Sequence, residues 1–240
     1  AKGVNETIVK DQSDPDNFDT ANGGDGFFFQ GRMVENFDNI AASVNHGFAY
    51  YHRGRDDDPA TGLDGQVSFD SVLFDFPDAL GSGLATADDT PITNFYNNEV
   101  FAANEGVHVV KSHPLQGHDI HTHLLNLTAW EVDRGAYFDY TGHYVLENFD
   151  LLAKANPHQD DSVLSAIEFD QNTVDMTVIN ATVEGFAHAA DLEKNFSFDD
   201  PNPADTQYKL VGVKIVDKNT GILRDIDPSI FPDDLVNYDE

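Results

Sequence analysis

Apolar residues along this chain alternate with polar ones more often than they recur at helical spacing. In QVSFDSVLFDF (66–76), Val67 and Phe69 fall on one parity and Val72, Phe74 and Phe76 on the other, so both faces carry bulk. That pattern predicts a strand buried on two sides. VHVVKSH (107–113), HTHLLNLTAWEV (121–132), TVDMTVINATV (173–183) and YKLVGVKIVD (208–217) are β-branched or alternating and predict further strands. DKNTG (217–221) predicts a hairpin turn into ILRDI. Gly- and Asp-rich stretches, RGRDDDPATGLDG (53–65) and LGSGLATADDTP (80–91), predict loops between strands.

Helical spacing is confined to VENFDNIAASV (34–44) and VLENFDLLAKA (145–155). These two stretches resemble each other. Glu35-Asn36-Phe37-Asp38 recurs as Glu147-Asn148-Phe149-Asp150, and His46 falls at the same offset as His158. The match covers a dozen residues and fades on both sides, so it reads equally as two related halves or as chance.

Charge changes the picture more than hydrophobicity does. The chain holds 43 acidic against 13 basic residues, a net charge of −30, and 33 of the acids are Asp. Asp competes with its own backbone for hydrogen bonds, which disfavours helix. A surface this acidic repels nucleic acid and anionic membrane. It suits a high-salt medium that screens self-repulsion, or a calcium-rich exterior where carboxylates are bridged. No apolar run reaches the roughly 20 residues that cross a bilayer, and AKGVNETIVK carries no signal-peptide pattern. With no cysteine, disulfides, thiolate nucleophiles and a self-contained blue-copper centre are excluded for this chain.

DQSDPDNFDTANGGDG (11–26) gathers Asp11, Asp14, Asp16, Asp19 and Asp25, but not at EF-hand spacing. These carboxylates could collect round a calcium ion, though a solvated acidic loop accounts for them better. HPLQGHDIHTHLLNLTAW (113–130) holds four histidines within eleven residues. On a strand, His121 and His123 share a face at about 7 Å, suited to two neighbouring metals rather than one. His118 and His113 lie before that strand. Neutral imidazoles ligate copper, zinc and iron, although exposed histidines on a strand often serve no purpose beyond polarity. Asp119-Ile120-His121-Thr122-His123 also matches the Asp-x-His-x-His signature of metal-dependent hydrolases. It lies mid-chain, without the alternating strand–helix pattern that their barrel requires. Four sequons, at Asn5, Asn126, Asn180 and Asn195, agree with export.

Taken together, Phe27 to Trp130 resembles a cupredoxin unit of the multicopper oxidases, of the large bacterial type that includes manganese oxidases. The pieces are His46-Gly47-Phe48-Ala49-Tyr50-Tyr51, Asp58-Pro59-Ala60-Thr61-Gly62, and Val72-Leu73-Phe74-Asp75-Phe76-Pro77. Val100 to Val110, the His118/His121/His123 strand and Trp130 follow in the same order. The resemblance implies a Greek-key β-sandwich over 25–135, after an acidic segment at 1–24. A second β-rich region, with a short helix near 145–155, then fills 136–240. It also implies copper at His121 and His123, with His118 and His46 as helpers, and an oxidoreductase that needs another chain or a longer polypeptide. Only one His-x-His pair is present, so the chain alone does not complete a trinuclear cluster. The competing expectation is an extracellular or cell-surface structural subunit (surface layer, filament or matrix) stabilised by calcium or salt, its partner another protein or a further copy of itself.

Overall fold

The computed structural model describes residues 24–29, 34–52, 66–68, 84–86, 91–92, 94–111, 121–154, 165–170, 173–192, 208–216 and 236–237. About three quarters of these are strand, and no helix forms among them. Almost all strands pair in parallel, each turn of chain lying in register on the next; the exception is the short pair Gln66–Ser68 with Leu84–Thr86. Among the described residues the architecture is a parallel β-solenoid of six stacked coils, with Phe27–Phe29 added in parallel on His46–His52 and Val236–Asn237 on Tyr208–Val211. Coil 1 comprises Asn36–Phe37, Ile40–Ala42 and His46–His52; coil 2 is Phe95–Lys111; coil 3 is Thr122–Asp139. Coil 4 comprises Gly142–Glu147, Asp150–Ala153 and Ser165–Phe169, and coil 5 Val174–Ile179, Thr182–Glu184 and His188–Leu192. Coil 6 comprises Tyr208–Val211 and Lys214–Val216. One column of partners runs Ile40, Glu99, Thr128, Asp150, Thr182, Lys214 from end to end.

Each coil presents three faces, and strand alternation sends every second side chain inward. The first face buries Phe95, Leu124, Leu146, Val178 and Leu210 as one stack. The second stacks Ala41, Val100, Ala129, Leu151 and Val183, and the third Tyr50, Val109, Phe138 and Phe169. Edge contacts between Phe48 and Phe95 (5.5 Å) and between Phe138 and Tyr144 (5.1 Å) tie the third face to the first across the core.

The corner between the first and second faces requires one left-handed residue per coil. Asp38, Asn97, Asn126, Asn148, Asn180 and Gly212 fill it, with φ between 53° and 63°. Asn, Asp and Gly visit this region at least cost. The side chains bond along the stack: Asn97 Nδ2 donates to Asp38 Oδ1 (3.2 Å), Asn126 to Asn97 (2.8 Å) and Asn148 to Asn126 (3.1 Å). At Gly212 an added Cβ would lie 2.6 Å from Asn180 Oδ1, so glycine ends the ladder.

Several expectations change here. A Greek key needs antiparallel neighbours, and these ladders are parallel, so the cupredoxin-like sandwich is not the architecture of the described residues. The helices expected at 34–44 and 145–155 are strands around left-handed corners at Asp38, Ser43 and Asn148. Stacking on neighbouring coils overrides the local helical spacing. The boundary expected at 135/136 falls inside the strand Thr122–Asp139. The Glu-Asn-Phe-Asp likeness does not follow the stacking of the coils, because Asn148 stands on the column of Asp38, not of Asn36. Asn126 and Asn180, read as sequons, are corner positions. The hairpin turn at 217–221, the acidic run before Gly24, and Asn5 and Asn195 lie outside the described residues.

Candidate metal centres

Among the described residues, two groups of side chains of metal-ligating type form on the outer surface, each drawn from successive coils: His46, Glu105 and His108, and His121, His143 and Asp175.

The first lies on the third face. His46, Glu105 and Arg134 share one column, and each precedes a glycine: Gly47, Gly106 and Gly135. Those glycines point into the solenoid. A Cβ on Gly106 would lie 2.3 Å from Gly135 O and 3.0 Å from Ala129 Cβ. Gly106 and Val107 are both buried, so strict alternation breaks and the next outward residue after Glu105 is His108. That break brings the Glu105 carboxylate onto the His108 ring.

His46 Nδ1 lies 2.5 Å from Asp25 Oδ1, so this nitrogen carries the proton and donates it. The other nitrogen, Nε2, lies 3.7 Å from Glu105 Oε2 and 3.3 Å from Asn45 Nδ2. His108 Nδ1 contacts the same Glu105 Oε2, and the His46 and His108 rings are 4.4 Å apart. Glu105 Oε1 accepts from Arg134 Nη1 at 2.6 Å, and Arg134 Nε lies 2.8 Å from Glu168 Oε2. Burial pushes the Glu105 carboxyl up, but the His108 hydrogen bond and the positive charges of His108, His46 and Arg134 outweigh it and hold it at about 2. Burial raises the Glu168 carboxyl, against the pull of Arg134. Tyr137 packs 4.9 Å from His108 and donates to Asp170 Oδ2 at 2.6 Å; burial and that carboxylate push its hydroxyl well above the ordinary range.

The second group lies on the first face. Thr122, Tyr144 and Met176 share a column, so the residues before them, His121, His143 and Asp175, stand level on three successive coils. His121 Nε2 lies 2.7 Å and His143 Nδ1 2.8 Å from one oxygen, Asp175 Oδ2. The hydrogen bond from His143, then the two imidazole charges, lower the Asp175 carboxyl against its partial burial.

The expected copper set does not assemble as one site. His46 stands on the third face in the first group and His121 on the first face in the second. His123 points outward like His121, across the buried Thr122, but pairs with Glu147 at 2.8 Å. His118 lies outside the described residues. Glu105, His108, His143, Asp175 and the supporting Arg134 escaped the sequence reading, and Asp25 entered it only as one carboxylate of an acidic loop. The available signal was the repeated polar-Gly pair, at 46–47, 105–106 and 134–135.

Two nitrogens and one carboxylate oxygen suit zinc(II), copper(II) or nickel(II), not calcium, which takes six to eight oxygens. No family model matches the chain, and no curated protein or solved structure matches it either, so nothing among known proteins identifies a cupredoxin domain.

Proposed function

We propose that this protein is a metal-binding β-solenoid that holds a divalent transition ion, copper(II) or zinc(II), through His46, Glu105 and His108. The observation that carries the reading is the Asp25–His46 hydrogen bond. Metal-ligating histidines almost always give their second N–H to a carboxylate or carbonyl, which fixes tautomer and ring. Here Asp25, 4% exposed, takes that part by accepting from His46 Nδ1. Arg134 holds one Glu105 oxygen and leaves the other facing both imidazoles. An ion there clamps coil 1 to coil 2. This chain supplies no thiolate, so an electron-transfer copper of the cupredoxin kind would need a second chain.

A second reading is a structural subunit of the cell exterior, stabilised by calcium or salt. The corner ladder supports it: a stack of near-identical coils is a rigid spacer, and its acidic surface suits a medium rich in salt or calcium. The test is titration with copper(II) or zinc(II), followed by calorimetry and thermal melting. We expect a stabilisation of about 2.7 kcal/mol at a hundredfold excess over Kd. Asp25→Asn should weaken binding roughly 10- to 100-fold, and His108→Ala should remove this site. Stabilisation by calcium alone, indifferent to both substitutions, overturns the metal-centre reading and leaves the structural one.

A further inference from the structure

We infer that His121, His143 and Asp175 form a second and separate centre, which holds a transition ion from one side and leaves its outer positions to an external ligand. It shares no residue with the first group and stands on another face of the solenoid.

The geometry is convergent in a way the stack alone does not require. Successive coils lie about 4.8 Å apart, so the backbones of His121 and Asp175 are separated by roughly two such steps. His121 spans that gap with its distal nitrogen, Nε2, while His143, one coil nearer, uses its proximal nitrogen, Nδ1. Both reach the same carboxylate oxygen. The rings meet nearly perpendicular, at 87° with centroids 5.4 Å apart, so they converge on that oxygen from two directions rather than stacking.

His143 and Asp175 lie inside strands and both have left-handed φ, 61° and 49°. The same conformation recurs inside strands at Ala102 and Glu131, so here it belongs to the coil geometry that sets the two side chains level.

The site differs from the first in its exposure. The His121 side chain is 41% exposed, against 21% for His46. Three donors rise from one flat face, so the solvent side of a four- to six-coordinate ion stays open, as in metal sites that take water or substrate. The ligand class is a small donor anion or an imidazole.

The test uses copper(II) sulfate as the probe on the full chain, with sodium azide as the external ligand. Wild type should take two ions, His108→Ala one and His121→Ala one; the doubly substituted chain should take none at comparable affinity. His121 is exposed, so its replacement leaves the fold intact. In His108→Ala, the electron paramagnetic resonance spectrum should show two nitrogen ligands and shift on adding azide. A His108→Ala chain that binds no copper while His121→Ala still binds one overturns this centre and spares the first. One ion in His108→Ala and none in His121→Ala does the reverse. Copper held by His108→Ala with a spectrum unmoved by azide overturns the open outer positions.

Discussion

Asn126 holds a backbone φ of 55° and bonds through its side chain to both neighbours, donating to Asn97 and accepting from Asn148. Asn126→Ala should lose those bonds and strain the corner, costing about 2–3 kcal/mol. Asn126→Gly loses the bonds but relaxes φ and should cost about 1 kcal/mol less. Urea denaturation separates the two, and equal losses would contradict the ladder's conformational role. Glu105 makes a pH prediction at the same scale. Its native pKa, about 2, lies below the ordinary 4.5, so its stabilising contribution is complete above 4.5 and is lost as pH falls from 4.5 towards 2. Glu168 acts oppositely, since its raised pKa makes ionisation costly as pH rises beyond 4.5. Glu105→Gln should therefore flatten the acid limb of a stability–pH curve measured in chelator. An unchanged limb would place the acid sensitivity elsewhere.

At the scale of the element, the glycine column on the third face sets the site as much as its ligands do. Gly106→Ala puts a Cβ against the next coil's carbonyl and the Ala129 methyl, neither of which has room to yield. We expect a loss of roughly 3 kcal/mol, together with weaker ion binding, because Glu105 and His108 flank the displaced backbone. Wild-type melting and affinity in that variant would refute the close packing. Strands within 107–111, 122–132, 174–183 and 208–216 were legible because inward and outward residues largely alternate there. Coils 1 and 4 were misread as helix because VENFDNIAASV and VLENFDLLAKA space their apolar residues near 3.6, and only stacking on a neighbour settles the choice. His121 and His46 were legible as ligand types, but their partners were not. His143 and Asp175 meet His121 through register, and register depends on loop lengths that local pattern does not fix.

For the whole molecule, those loop lengths also hid the repeat. Successive ladder residues are 59, 29 and 22 positions apart, so no single period runs through the chain although the coils superpose. The Greek-key expectation followed from reading β-pattern without that repeat. At net charge −30 self-repulsion opposes the stack, and the Debye length falls from about 10 Å at 0.1 M salt to about 3 Å at 1 M. A gain of about 2 kcal/mol across that range would raise Tm by roughly 4–8 °C. A Tm indifferent to sodium chloride would show that the surface charges do not limit stability. The central claim is that the solenoid's histidines serve a metal, and elemental analysis of the protein isolated without added metal tests it most directly. Copper or zinc should be found at one or more ions per chain, reduced when His46 or His108 is replaced. Calcium alone, or no metal even after dialysis against copper and zinc, would contradict it and leave the ladders as purely structural pairs.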